Sequence, residues 1–466
     1  MTTARKTFLL LMALDILAVL VVFNALSFIR GVTLDGTFIV SPLLAPLLAL
    51  TFALHLIDGY SPRTDMISVD YTSLHTIALM CAMLGVLLMT YVVMPRGYEL
   101  QSSRVVIALS FLVLTPLTLS YRRVVYQKVA TRRGSRSLAF LGDRASCEAF
   151  REECRRVGST QQVVYSIIPD SSPLPSPDEL PWRPFAEVLQ EIDEGRLSIE
   201  AIILRETGHE LPPGLSQRLV ELYFGGVPTY TLELFHQVYW RKIPLYRLNQ
   251  TWLFQEGFRI AREPVFERLK RVSDIVFALT GLVLASPFIL LGALAILIDD
   301  GGPVFFSQNR VGRNHRPFKI RKLRTMRSSP PPGASTPPIP GANELYTQLN
   351  DARITRVGRF LRATRIDEFP QLWNVLVGDM SLIGPRAEWD RLVQNYEREI
   401  PCYYFRHLVK PGITGWAQVN YPYGASIDDT LRKLEYDLYY IRHFSFLLDA
   451  SIMLKTIHIM LFGKGR

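Results

Sequence analysis

Cysteine is scarce. The 466 residues hold four, at 81, 147, 154 and 402, with no Cys-x-x-Cys pair and no zinc-site spacing. A disulfide scaffold is excluded, and the thiols read as buried or idle in a reducing compartment. Glycine is scarce where a dinucleotide site needs it. A strand-like run ends in Gly142-Asp143-Arg144-Ala145-Ser146, with one glycine where a pyrophosphate-binding turn wants three, which weighs against NAD. Acid is missing from 303 to 341, where eight Arg or Lys occur. The formal net charge of +10 points to an anionic partner: nucleic acid, a membrane surface or a phosphorylated substrate.

What the chain has in abundance is long apolar runs. Four come first, at 8–29, 38–57, 74–93 and 105–121. The first three are long enough to cross a bilayer, and the fourth is marginal without its flanks. Arg5 and Lys6 precede the first run, which lacks a small-x-small cleavage site and so reads as a retained anchor. Arg122, Arg123, Lys128, Arg132, Arg133 and Arg136 follow the fourth. An even number of spans with basic flanks places both ends in the cytoplasm. Asp15, inside the first run, is open to three readings: a functional acid, a polar contact in the bundle, or an interfacial group that snorkels.

From 137 to 250 the pattern changes. Short apolar runs at 138–141, 163–168, 201–204 and 227–230 alternate with helical stretches at 145–156, 184–195 and 214–224. Such alternation predicts a parallel α/β sheet, for which a non-catalytic, interaction or regulatory role is expected. Residues 170–177, rich in Ser and Pro, read as a surface loop.

A fifth apolar run, 272–298, carries no charge from 275 onward. Crossing there would put the basic segment after it outside the cell, against the cytoplasmic bias of Arg and Lys. Ser286-Pro287 lies midway. Proline removes one helical hydrogen bond and crowds the carbonyl of Val283, so a bend and a re-entrant hairpin are expected, with the Ser286 hydroxyl as partner for a freed backbone group. Arg310, Arg313 and Arg316 lie among short strands at 305–307 and 318–320; after a membrane hairpin, lipid headgroups and a lipid phosphate are the expected partners rather than nucleic acid. The segment 328–341, with six prolines, reads as a passive linker, with a lid as the alternative.

The chemistry concentrates in Thr364-Arg365-Ile366-Asp367-Glu368-Phe369-Pro370-Gln371-Leu372-Trp373-Asn374-Val375-Leu376-Val377-Gly378. Proline opening and glycine closing an apolar run predict a helix, with Asp367 and Glu368 near its N-terminus, where the dipole favours their ionised forms. Adjacent like charges repel unless a cation or an arginine intervenes. Mg2+ suits that position, and arginines at 353, 356, 359, 362, 365 and 386 surround it.

This stretch resembles the signature of the bacterial sugar transferases, the polyprenyl-phosphate hexose-1-phosphate transferases (large monotopic phosphoglycosyl transferases). The resemblance runs from about 266 to the C-terminus. It includes Lys322-Leu323-Arg324-Thr325-Met326, Thr355-Arg356-Val357-Gly358-Arg359, Gly384-Pro385-Arg386 and Lys410-Pro411-Gly412-Ile413-Thr414-Gly415-Trp416. Ala387 stands where the family usually has a second proline, and Phe369 replaces the commoner leucine. The resemblance implies Asp367 as nucleophile and Mg2+ ligand, and Glu368 as its essential neighbour. Lys322, Arg324, Arg356, Arg386 and Lys410 are the expected substrate-binding residues.

The expected architecture is a membrane protein of mixed class. Residues 1–125 form a four-helix transmembrane bundle, 126–255 a Rossmann-like cytosolic α/β domain, and 256–466 a mostly helical α+β monotopic catalytic domain with its re-entrant helix at 272–298. The expected reaction moves a hexose 1-phosphate, glucose or galactose in the first instance, from a UDP-sugar to undecaprenyl phosphate with release of UMP. It would run at the cytoplasmic face of the bacterial inner membrane, in a homodimer that contacts membrane lipid and no nucleic acid. A direct one-step transfer is the rival mechanism. A non-catalytic membrane scaffold and a membrane-bound sugar-nucleotide redox enzyme are the rival functions.

Overall fold

The computed structural model describes residues 3–31, 39–61, 64, 66–94, 104–134, 137–159, 161–167, 182–205, 213–245, 264–327, 353–422, 424 and 426–462. The loops expected at 170–177 and 328–341 lie outside them. The chain divides into two compact units, Met1–Trp240 and Arg241–Arg466.

The first unit opens with four helices: α1 (Thr3–Ile29), α2 (Leu44–Leu56), α3 (Val69–Leu88) and α4 (Arg104–Gly134). α1 packs on α2 and α4, and α3 packs on the same two, which makes a bundle. α1, α3 and α4 are long and apolar enough to cross a membrane. The second and fourth runs exchange the lengths expected of them. α2 has 13 residues, because Pro42 diverts its start into a 3-10 turn at Ser41–Leu43. At 1.5 Å per residue it measures about 20 Å, short of a hydrocarbon core of about 30 Å. α4 runs on through the basic flank to 31 residues.

Asp15 resolves to the polar contact in the bundle. Its carboxylate meets Arg122 at 2.6 Å, both side chains fully buried, and accepts from the Tyr60 hydroxyl at 2.7 Å and from the Tyr121 hydroxyl. Arg122 is therefore no flanking surface charge, as its place after the fourth run had implied. It neutralises an acid that would otherwise be stranded among apolar helices.

The rest of this unit alternates as expected: β1 (Ser137–Gly142), α5 (Arg144–Val157), β2 (Val163–Ile167), α6 (Phe185–Asp193), β3 (Ile199–Leu204), α7 (Pro213–Phe224), β4 (Thr229–Thr231) and the short α8 (Leu232–Phe235). The strands form a parallel sheet in the order β2-β1-β3-β4. Both faces are covered, one by Phe140, Phe150 and Phe235 and the other by Ile202, Leu219 and Leu222, as parallel sheets require. At the β1–α5 turn, Asp143 accepts from the Ser146 amide at 2.7 Å and pairs with Arg205. The chain's own carboxylate thus caps this helix N-terminus.

The second unit begins with residues 241–245, ahead of the boundary expected at 256. Ile243 and Leu245 are buried in its core, and Lys242 pairs with buried Glu435 at 3.4 Å. Next comes α9 (Pro264–Asp300), 37 residues with Pro287 inside. The chain stays helical on both sides of that proline. The Ser286 hydroxyl donates to the Val283 carbonyl, which Pro287 leaves without its usual amide, at 2.8 Å. After α9 an antiparallel hairpin, β5 (Phe305–Val311) and β6 (Pro317–Leu323), leads to α10 (Arg356–Thr364), α11 (Gln371–Val377) and β7 (Ser381–Ile383). The chain closes with α12 (Asp390–Glu399), a 3-10 turn at Tyr403–Leu408, β8 (Gly412–Thr414), α13 (Trp416–Asn420), α14 (Ile427–Arg442) and α15 (Phe446–Phe462).

Both halves of α9 pack on this module. Arg271 donates to the Val375 and Leu376 carbonyls at 2.5 and 2.6 Å, closing the C-terminus of α11. Asp274 accepts from the Leu382 amide at 3.0 Å. Past the proline, Gly292 fits so closely that a Cβ there would lie 2.9 Å from Leu323 and 3.3 Å from Leu361. α15 packs into the core of this unit. Ile452 is fully buried, and Asp449 takes Lys270 at 2.5 Å and the Tyr440 hydroxyl at 2.8 Å.

Removing one partner of a buried pair strands the other. Arg122→Ala is therefore expected to lower the stability of detergent-solubilised protein by about 3–5 kcal/mol. Replacing Asp15 and Arg122 together by apolar residues should recover most of that loss in the same unfolding assay.

Candidate active site

Asp367 and Glu368 occupy a 3-10 turn, Ile366–Glu368, which Arg365 enters with a left-handed φ of 57°. α11 starts three residues later with Pro370 as its N-cap, so the acids precede a helix N-terminus as the sequence predicts. Their charge states diverge from the expectation that the helix dipole ionises both. Burial first, then the neighbouring Glu368, pushes Asp367 up to about 6 against the pull of Lys322 and Arg362. Burial also acts on Glu368, but Lys322 and Arg386 outweigh it and hold that group down at about 2. Lys322 Nζ sits 2.7 Å from Glu368 Oε1, and Arg365 lies 3.9 Å from Oε2. Among the described residues no other side chain bonds to the Asp367 carboxylate. The turn therefore holds one committed acid and one uncommitted acid.

Packing explains why Lys322 is available. It lies on β6, and Asn374 of α11 fastens that strand: its amide donates to the Lys319 carbonyl at 2.8 Å and its oxygen accepts from the Arg321 amide at 3.0 Å. Gly358 lets α10 press on the segment after β6, since a Cβ there would fall 2.1 Å from the Thr325 carbonyl.

Arg386 arrives by a second device. β7 and β8 pair in parallel, and the chain beyond β7 is clasped by the Lys410-Pro411-Gly412 segment. The Gly412 amide donates to the Pro385 carbonyl at 2.9 Å, and the Gly384 amide to the Thr414 carbonyl at 2.9 Å. A Cβ on Gly412 would lie 2.1 Å from the Gly384 nitrogen. The Gly412 amide is thereby committed to backbone and is not open to a phosphate. Arg406 adds a bond to the Arg386 carbonyl at 2.9 Å.

Of the five basic residues expected at the site, Lys322 and Arg386 line one pocket with Glu368. Arg324 pairs with Asp300 at the end of α9, and Arg356 opens α10 with an exposed side chain. Lys410 faces Gly378, its ammonium pulled below the ordinary range by burial and then by Arg271. Arg310 and Gln371 share the pocket without having been singled out for it, and Asn374 was not singled out at all. No spacing rule marks them, because strand pairing and the α11–β6 contact bring them in. For Mg2+ the fit is good: Asp367 offers uncommitted hard oxygens, and one carboxylate with substrate phosphates suffices.

The family model described as bacterial sugar transferase matches residues 265–463, from the start of α9 to the end of α15. The UDP-N-acetylgalactosamine-undecaprenyl-phosphate N-acetylgalactosaminephosphotransferase of Aeromonas hydrophila is 37% identical over 304 residues, 65% of this chain and 68% of that protein. The chain belongs to the bacterial sugar transferase family. A second relative, the UDP-glucose:undecaprenyl-phosphate glucose-1-phosphate transferase of Escherichia coli K12, is 42% identical over 195 residues, 41% of this chain and 39% of the relative. The exopolysaccharide production protein PSS of Rhizobium leguminosarum bv. phaseoli is 39% identical over 203 residues, 42% of this chain and 98% of its own length. The family match thus spans the unit that carries the acidic pair.

For this sugar transferase a sign follows for stability. A carboxyl whose pKa is raised by folding is destabilising once ionised, so its contribution is favourable below the unfolded value near 4 and lost as pH rises through about 6. Asp367→Asn is expected to stabilise the protein by roughly 2–3 kcal/mol at pH 7, with the gain vanishing below about pH 4, while turnover is lost. Thermal unfolding across pH checks it. Asn374→Ala leaves two part-buried backbone groups of β6 without their side-chain partner and frees Lys322 to drift. About 1–3 kcal/mol of stability and a 10- to 100-fold drop in kcat/KM are expected, measured by unfolding and steady-state kinetics.

Proposed function

We propose that this sugar transferase moves a hexose 1-phosphate from a UDP-sugar to undecaprenyl phosphate, releasing UMP, through a covalent intermediate on Asp367. The observation that carries this reading is the asymmetry of the acidic turn. Glu368 is neutralised by Lys322, while its neighbour is buried, uncommitted and more basic than an ordinary carboxylate. A nucleophile wants that combination: ionised at neutral pH, yet not stabilised by a fixed cation.

In the first step an Asp367 oxygen bonds to the phosphorus that carries the sugar, and the bond from that phosphorus to UMP breaks. In the second an oxygen of the lipid phosphate attacks the same phosphorus and the Asp367 carboxylate leaves. No proton need move in either displacement. Lys322 and Arg386 face the oxygens on which charge builds. Glu368 holds Lys322 in place. Mg2+, held by Asp367 and the diphosphate oxygens, would supply further charge neutralisation.

The membrane side of the reading rests on α9. Its outer face leaves Val283, Leu284, Leu290 and Leu291 65–69% exposed, and Phe360, Trp373 and Val377 add to the apolar surface. A helix of 37 residues is about 55 Å long if straight, far more than a crossing needs. One module grips it on both sides of Pro287, which supports a re-entrant helix over a crossing one. The module would then stay on one face of the membrane, and the eight Arg or Lys at 303–341 argue for the cytoplasmic one. The parallel sheet of the first unit is proposed as a Rossmann-like, non-catalytic domain.

Rapid quench with UDP-sugar and no lipid tests the mechanism. One equivalent of UMP per enzyme is expected for UDP-glucose, UDP-galactose or UDP-N-acetylgalactosamine; its absence with all three means direct transfer. The pre-steady-state rate should fall as pH drops through about 6, where Asp367 takes up its proton.

A further inference from the structure

Away from the acidic turn, three elements bring nitrogen and oxygen ligands to one point. His315 stands at the tip of the β5–β6 hairpin, Glu397 on the last turn of α12, and His407 in the 3-10 turn Tyr403–Leu408. Their ligand atoms lie within 4.8 Å of one another. We propose that His315, Glu397 and His407 form a zinc site, distinct from the acidic turn, that braces the segment carrying Arg406.

The bland alternative is a histidine–carboxylate hydrogen bond beside a packed core histidine. His407 argues against it. Its ring is buried, with 6% of the side chain exposed, and among the described residues Nε2 has no hydrogen-bond partner. Buried polar atoms are nearly always satisfied, so one left bare toward a carboxylate asks for a ligand. Glu397 Oε1 is 3.9 Å from it, too far for a hydrogen bond, while His315 Nε2 sits 2.7 Å from that same oxygen. Two ligands of a tetrahedral zinc at about 2.0–2.1 Å stand roughly 3.3 Å apart, between those two distances. The two rings lie 4.7 Å apart at 55°.

Backbone geometry aims the exposed member. Asn314 and His315 both take left-handed φ values, 53° and 59°, which non-glycine residues adopt at a cost. Two imidazoles and one carboxylate are a zinc donor set, and magnesium, which prefers oxygen, would not displace the metal. His315 and Glu397 are exposed, leaving the fourth position to water. The site also touches the described machinery indirectly. Arg406, next to His407, donates to the Arg386 carbonyl at 2.9 Å and pairs with Asp437 at 3.0 Å, so a metal at 407 would steady Arg386 from behind.

The test uses the full chain in detergent, without an oligohistidine tag, stripped with chelator and titrated with Zn2+ in excess Mg2+. One saturable Zn2+ per chain is expected, as is a visible absorption of four-coordinate type with Co2+. His315→Ala and Glu397→Gln change surface positions, and unfolding of the metal-free variants confirms that they fold. Each should weaken Zn2+ binding by at least about tenfold and abolish the Co2+ band. Zn2+ should raise the unfolding temperature of the wild type and not that of the variants. No saturable Zn2+, or equal binding by wild type and the double variant, overturns the proposal. Neither result bears on the acidic turn, whose UMP release is measured separately.

Discussion

Two adjacent carboxylates can share a buried turn only if something neutralises one of them. Lys322 does so for Glu368, and much of the second unit serves to bring that ammonium to 2.7 Å. The lysine comes from a strand 46 residues upstream of its partner. That strand has no intrinsic reason to lie against the acidic turn. Asn374 supplies one by bonding to both the Lys319 carbonyl and the Arg321 amide, so α11 fixes the strand and the turn in a single frame. Loss of the frame would return the turn to two competing acids, each raising the other's pKa.

Glycine works in the same service. At Gly358 and Gly412 a side chain would run into backbone, so these residues are demanded by close approach rather than by turn conformation. They allow the Lys322 strand and the Arg386 segment to be pressed home. The bundle of the first unit uses an independent version of the same electrostatics. Asp15 and Arg122 are fully buried and satisfied together, and neither would be tolerated alone.

The sequence was most legible where periodicity is local. The alternation in the first unit located its four described strands and α5, α6 and α7, though not the short α8, because a buried strand and an amphipathic helix each announce themselves within a few residues. Asp367 and Glu368 were equally visible, standing between a helix ending in a threonine-arginine pair and a proline-led one. Contacts between distant segments were not visible. Arg122 read as a surface cation because its partner lies 107 residues away. Nothing local marks the Gly412 amide as taken, because the carbonyl that accepts from it belongs to Pro385 in a distant segment. Asn374, an ordinary polar interruption of an apolar run, gave no hint that it holds β6.

By hydropathy alone α9 is long and apolar enough to cross a membrane, but hydropathy leaves out what the helix packs against. A transfer scale scores each residue as if its whole surface met lipid, yet Ala278, Ala285 and Ile296 are buried against protein. Small residues on that face, with Gly281 against Leu372 and Gly292 against Leu323, are what let the module approach along the helix. A helix bound for a full crossing has no use for a soluble module along both of its halves, since the far half would carry those partners into or through the hydrocarbon. The proposed re-entrant placement lets the gripped face keep its module and the bare face of Val283, Leu284, Leu290 and Leu291 keep lipid. On that reading Pro287 does not need to break the helix. It needs only to let the helix yield, and the Ser286 hydroxyl on the Val283 carbonyl shows how the lost hydrogen bond is offset without leaving the helical path.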